Sequence, residues 1–501
     1  MSSSKVIAGG IFWTTLSALF NAFYGFISVP ILLVHFGKQQ YGLIGLALSI
    51  NVYLRLMDMG FSSGNVRFFS ILLVKKEYEN LEKLFQSSLV FYGVIGLINA
   101  IVLLVVSIYS KGWFHLDDEQ NSAFCIMLYV LMFSAFWGWI SSLLDQFLRA
   151  NEIIGWEQRL MIFAKIVQLG ILFYTVKFNL SMSTFFAFTT LSSLIIIPFS
   201  IYKIKGLGYI MRILPKYNHA IFKNVIPYSV SIFSFSIFQF SANYLRPLIL
   251  GTRLNVGAVA EYRILEGFAN MVLLLGTSFV GVILPMATKA TSLNDKKKEN
   301  QIAYDGTKYI SIFLGLITFS FVLISKFLIL VYVGDKYLHL VIWLNIWVLT
   351  LLATHNSALS SLVLSRNDLR PVVYISAFSS VSSLVIAWFL TPYFKVGGVV
   401  LSYLFYCSSQ IIYYYGYYYK HVLLLNSKKI FMNSFLRPVS CLAIVALAIS
   451  YISKFIIIQN IYLNCIVIGL LFALTSAIVI YKIILNENDI IFIKNILTVR
   501  K

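Results

Sequence analysis

Long apolar runs, separated by short charged or Gly/Pro-containing breaks, recur along the whole chain. They lie near 8–35, 41–63, 87–109, 123–147, 157–177, 183–202, 225–251 and 257–285, then near 307–332, 338–364, 371–392, 397–419, 437–458 and 461–482. About 20 mainly apolar residues make one helix that crosses a bilayer. The pattern therefore predicts an all-α polytopic membrane protein of about 14 transmembrane helices. The first run is too long for a signal-peptide core and lacks a small-residue cleavage site, so it reads as a retained first helix.

Polar positions inside the runs are spaced to share helix faces. In the second run Asn51, Arg55 and Asp58 stand at i, i+4 and i+7, and in the eighth Arg263, Glu266, Asn270 and Thr277 follow a similar stripe. The seventh carries Ser229, Ser236, Gln239, Asn243 and Arg246, and the first Thr14, Ser17, Asn21, Tyr24 and Ser28. A charge facing lipid at a helix centre costs about 2.5–3.5 kcal/mol, so these stripes are expected to line a hydrophilic cavity. The competing reading is structural: Arg55–Asp58 and Arg263–Glu266 are at i,i+3 and can neutralise each other. Asp145, Lys165, Arg246 and Glu261 lie close enough to run ends to snorkel. His355 reads first as a packed, hydrogen-bonded core histidine and second as a proton-coupling group.

A weak internal repeat runs through the pattern. Pro30 in VPILLVHFG and Pro247 in RPLILGTRL are 217 residues apart, and Leu148-Arg149-Ala150-Asn151-Glu152 matches Leu364-Ser365-Arg366-Asn367-Asp368 at an offset of 216. The expected organisation is two six-helix halves, 1–205 and 206–425, with two further helices and a tail in 426–501. An even number of helices per half makes the repeat parallel, about an axis normal to the membrane, with the central cavity at the interface.

Composition and charge sharpen this picture. Of 501 residues 59% are hydrophobic and 12% charged, and mean hydropathy is +0.84. A soluble domain carries about 25% charge, so an aqueous fold is excluded. The net charge of +20 is distributed by side: alternate loops and both ends hold 27 basic residues, against eight on the other side. Basic loops stay cytoplasmic, which places both termini inside and explains the charge without a nucleic-acid partner. Cys125, Cys407, Cys441 and Cys465 are far apart in apolar stretches, which fits neither a disulfide framework nor a zinc site. The loops hold no catalytic or metal-ligand spacing, so neither an enzyme nor a cofactor is expected.

Several motifs, in order, carry a family resemblance. They are VPILLVHFGKQQYGLIGL, then LMDMGFSSGNVRFF with Asp58, Gly60 and Arg67, then QFLRANEIIGWEQ, then VILPMATKA with Pro285. Together they resemble the Wzx-type polysaccharide (O-antigen) flippases of the MOP exporter superfamily, which also contains MATE drug exporters and lipid II flippases. The resemblance implies alternating access, in a bacterial inner membrane, that moves an undecaprenyl-diphosphate-linked oligosaccharide from the cytoplasmic to the periplasmic leaflet. It implies substrate contacts from Arg55, Arg246, Arg263, Gln239, Asn243 and Asn270, with the arginines on the diphosphate. Asp58 and Glu266 are the candidates for coupling to an ion, proton or sodium. The expected partners are the lipid-linked oligosaccharide and membrane lipids. A MATE-like cation-coupled multidrug or metabolite antiporter is the alternative, and an integral-membrane transferase or polymerase is a third reading.

Overall fold

The computed structural model describes residues 3–209, 213–293, 295–364, 370–455, 460–487 and 489. Arg212, Ser365, Arg366, Asn367, Asp368, Lys494, Arg500 and Lys501 lie outside the described residues, as do the side chains of Thr277 and Pro285. Helix occupies every one of the expected runs. Among the described residues, eleven helices are long and apolar enough to cross a membrane.

The first two runs form one continuous helical stretch, Ser3–Leu54, broken only at Gly37 with φ 79° and ψ 171°. That left-handed backbone suits glycine, which has no Cβ to clash. Pro30 lies inside it; neighbouring helices and side chains in membranes can re-satisfy the backbone carbonyl that a proline frees. The chain then tightens into a 3-10 turn at Arg55–Asp58, passes through left-handed Met59 and Gly60, and restarts as helix Phe61–Val74. The second expected run is therefore two helices joined by a tight break.

Elsewhere the ends follow local chemistry. Asp117 caps helix Asp118–Ala150 in a reciprocal box with Gln120, satisfying two otherwise orphaned N–H groups. Ser181 caps helix Met182–Ser192, and Asn460 caps helix Ile461–Val479. His115 and Asn179 close helices Tyr78–Phe114 and Ile154–Phe178 in left-handed conformation.

The chain divides into two compact units. The first comprises Met1–Ile264 with Leu384–Val399, and the second Leu265–Ser383 with Val400–Lys501. The first unit centres on Phe147, which meets the rings of Phe69 and Phe85 edge to face, each at 5.4 Å, with Leu81, Leu84, Leu143 and Leu144 around them. The second centres on Ile310, Leu314, Leu442, Ile449 and Phe472. Both units show the reverse of a soluble surface. Val34 and Val74 in the first unit and Leu424 and Leu447 in the second point outward at 70% exposure or more, while Ser88, Thr175, Ser311 and Ser379 are fully buried. Small polar residues inside and large apolar ones outside are what lipid-facing helices require, since small residues let backbones approach closely.

Candidate functional site

Two polar clusters in the first unit hold two of the eight residues expected to act, Asp58 and Arg263. The first forms at the break after the first long helix. Asp58 Oδ2 accepts from the Ser62 N–H at 3.1 Å and the Ser62 hydroxyl at 2.8 Å, while Oδ1 accepts from the Tyr92 hydroxyl at 2.7 Å. The carboxylate thus sits on the first turn of helix Phe61–Val74, where the helix dipole favours negative charge.

The network continues inward from there. Gln146 Nε2 donates to the Tyr92 hydroxyl at 2.9 Å and to Ser142 Oγ at 3.1 Å. Asn65 Nδ2 donates to Gln146 Oε1 at 3.0 Å, and Ser88 Oγ donates to Asn65 Oδ1 at 3.2 Å. Asn65, Ser88, Tyr92 and Gln146 are all buried, and Tyr92 stacks on Trp139 at 5.5 Å. Donors and acceptors therefore run in one direction, from Ser88 through Asn65, Gln146 and Tyr92 to Asp58. A satisfied chain of this kind in a low-dielectric interior holds its members in one geometry.

Arg55 and Asp58 are the first and last residues of the 3-10 turn, where side chains at i and i+3 eclipse, so the turn keeps them on one side. Among the described residues Arg55 makes no ion pair with Asp58; its side chain is exposed, while Asp58 is satisfied by neutral donors. The structural ion-pair reading of these two residues falls.

The second cluster joins the segment after Gly37 to the start of helix Val256–Ser292. Lys38 Nζ meets Glu261 Oε1 at 2.6 Å. Arg263 Nη2 donates to the Gly45 carbonyl at 3.0 Å and to Ser49 Oγ at 2.7 Å. A Cβ on Gly42 would fall 1.9 Å from the Val256 carbonyl oxygen, so the two backbones approach as only glycine permits.

Other expected residues are placed as follows. Arg246 is 2% exposed in the first turn of helix Arg246–Arg253, far too buried to snorkel. On helix Ile226–Tyr244, Gln239 is half-buried and Asn243 exposed. In the second unit Glu266 is half-buried and Asn270 exposed. Lys165 lies 4.7 Å above the Tyr24 ring and donates to Gln168 at 3.0 Å. Arg149 bridges Asp145 at 2.9 Å and the buried Glu157 at 2.8 Å, tying helix Asp118–Ala150 to helix Ile154–Phe178. His355 is fully buried, with Nδ1 2.7 Å from the Leu352 carbonyl oxygen and Nε2 2.9 Å from the Tyr415 hydroxyl. The carbonyl fixes the proton on Nδ1, so Nε2 accepts from Tyr415, and the ring is a packed neutral histidine stacked on Phe435.

Sequence reasoning missed Asn65, Ser88, Tyr92, Gln146 and Lys38. Gln146 left a signal as an uncharged amide deep in an apolar run. Tyr92, one of 31 tyrosines, left none, and Lys38 read only as an outer-loop base.

Comparison with known proteins places the fold. No family profile matches the chain, and no curated protein sequence matches it. Solved structures do. A lipid II flippase, MurJ, in an inward closed conformation superposes with a TM-score of 0.70 at 15% identity, covering 94% of this chain and 99% of the other. An inward-facing multidrug MATE transporter of the MOP superfamily gives 0.60 at 14% identity, covering 79% and 92%. A Vibrio cholerae MATE transporter gives 0.53 at 14% identity, covering 85% and 99%. The chain has the all-α polytopic membrane fold that these transporters share.

Proposed function

We propose that the protein is a flippase that moves an undecaprenyl-diphosphate-linked oligosaccharide from the cytoplasmic to the periplasmic leaflet for surface polysaccharide synthesis, by alternating access and without catalysis. The observation that carries this reading is the full-length likeness to a lipid II flippase, which extends over 94% of the chain against 79% for the inward-facing multidrug transporter. In this reading fourteen helices cross a bacterial inner membrane with both termini cytoplasmic, and the halves 1–205 and 206–425 move about a central cavity.

The chemistry divides among the residues accordingly. A diphosphate needs multidentate cationic donors, which guanidinium supplies. Arg55 is the exposed arginine of the set, with its donors unspent among the described residues, so it makes first contact with the diphosphate. Arg246 acts from a buried position and Arg263 from a half-buried one, and Gln239, Asn243 and Asn270 contact the sugar. Asp58 and Glu266 take the coupling ion. Asp58 is suited to this because its partners are neutral: when it takes a proton, the Tyr92 hydroxyl can turn from Oδ1 toward Gln146 Oε1, 3.3 Å away, and carry the change into the buried network.

A cation-coupled drug or metabolite antiporter is the second reading, favoured by the two MATE likenesses. A deletion strain lacking any second flippase separates the two. Loss of surface polysaccharide with accumulation of the lipid-linked precursor, restored by the wild-type chain but not by Arg55→Gln at equal abundance, supports the flippase. Normal polysaccharide with altered drug resistance supports the antiporter.

A further inference from the structure

A cleft of about 370 Å³ opens at one end of the first unit. Three separate segments build it: His35, Phe36 and Gln40 on either side of the Gly37 break, Glu119 and Ala123 from the start of helix Asp118–Ala150, and 179–183 from the turn after helix Ile154–Phe178 and the start of helix Met182–Ser192. They adjoin alternate connections of the chain, all on the side with few basic residues.

The lining has a consistent chemistry. Phe36 supplies an aromatic face, fixed between His35 at 4.6 Å and Phe185 at 6.0 Å. Around it stand two planar amides, Gln40 and Asn179, one carboxylate, Glu119, one imidazole and two hydroxyls, Ser181 and Ser183. Among the described residues the side chains of His35, Gln40, Glu119, Asn179 and Ser183 make no hydrogen bond or ion pair, so their donors and acceptors are available to a ligand. No lysine or arginine lines the cleft, which argues against a phosphate. Among the described residues no group of three metal-ligating side chains forms, which argues against a metal. An aromatic platform ringed by amides and a carboxylate matches instead a neutral polyhydroxyl ring: apolar C–H faces stack on the ring while hydroxyl pairs bond the amides and carboxylate. The volume falls within the range of about 300–1,000 Å³ typical of small-molecule sites.

The geometry points to a saccharide-binding site here, on the face opposite the basic loops, that receives the neutral sugars of the transported oligosaccharide as they emerge. This rests on the flippase reading, which gives the sugar its source. Asn179 holds φ 49°, so Asn179→Gly removes the amide while keeping the left-handed backbone.

The test uses the full-length chain in nanodiscs, with labelled neutral di- to tetrasaccharides, sialylated counterparts, and the same neutral glycans on a lipid anchor within the disc. Saturable binding of neutral glycans is expected, weakened about tenfold or more in Gln40→Ala/Asn179→Gly, a change equivalent to about 1.4 kcal/mol. Glu119→Lys should reverse the preference toward sialylated glycans, a gain that misfolding cannot mimic. Tighter binding of the anchored form identifies the lipid-linked sugar as the ligand, whereas binding of the free form alone identifies a soluble saccharide. Absence of neutral binding, or binding unchanged by both variants, overturns the site. Polysaccharide export in the deletion strain is scored in parallel: export without glycan binding removes the cleft alone, and glycan binding without export removes the flippase reading alone.

Discussion

In the first unit some buried serines, such as Ser107 and Ser134, bond their own helix, but other polar groups reach across helices and converge on carboxylates. Tyr92 and Ser62 meet at Asp58, Lys38 meets Glu261, and Arg149 holds Asp145 and Glu157 together. In the second unit many buried hydroxyls bond their own helix: Ser311 to the Thr307 carbonyl, Ser379 to Ile375 and Ser383 to Ser380. A back-bonded serine is satisfied wherever its helix goes, whereas a bond between helices fixes their spacing. The first unit is therefore built to hold ionisable groups in place. The second packs through small residues and the aromatic stack around His355, and among its described residues its buried carboxylate cluster, Asp489 with Lys308, stands at the tail.

The largest effect that would test this contrast is at Arg149. Arg149→Met leaves Glu157, which is 2% exposed, as a buried charge without its cation. The expected destabilisation is about 3 kcal/mol, the low end for a broken buried pair because the arginine itself is half-exposed. Adding Glu157→Gln should recover most of the thermal midpoint. If the single change costs nothing, the inter-helix charges are ornaments.

A smaller loss is expected in the second unit at Tyr415→Phe, which removes the donor to His355 Nε2 and leaves a buried acceptor unmade. About 1–3 kcal/mol of stability should go, with transport per folded molecule unchanged. A transport loss larger than the loss of folded protein would give His355 a working role and erase the contrast between the units.

The smallest effect lies at the tail. Asp489 accepts from Lys308 Nζ, Tyr309 and the Asn486 N–H, each within 2.6–2.7 Å. Burial alone would raise its pKa, but the Lys308 hydrogen bond and charge, with the Asn486 and Tyr309 bonds, hold it below the ordinary carboxylate range. A lowered folded-state pKa contributes stability above the unfolded value and loses it as pH falls through the lowered one. Proteolysis of the C-terminal segment should therefore accelerate only in strong acid, and Asp489→Asn should make it fast and independent of pH. Equal protection of wild type and variant near neutrality would show that this latch holds nothing.

Much of the fold was legible because its signal is thermodynamically forced: a bilayer demands apolar runs, and the runs fall where the helices are. The candidate site was legible only in part. Asp58, Arg263 and Glu261 were visible as charges inside apolar runs, where any charge requires a partner. The partners were not, because Tyr92 and Gln146 are neutral and meet Asp58 only through tertiary packing. The break at Arg55–Asp58 was hidden for a different reason. Its left-handed exit is shared between Gly60 and Met59, and nothing about a methionine announces φ 48°.

The most direct test of the central claim, that the Asp58 network couples an ion to oligosaccharide transport, is the outer-leaflet appearance of lipid-linked oligosaccharide in the deletion strain, measured against pH and sodium. Wild-type chain should restore it with an ion dependence, and Asp58→Asn, at equal abundance, should lower it about tenfold or more and abolish that dependence, the scale of one lost charge-assisted contact. Tyr92→Phe should fall between the two. Undiminished transport by Asp58→Asn, with the same ion dependence as wild type, would contradict the account.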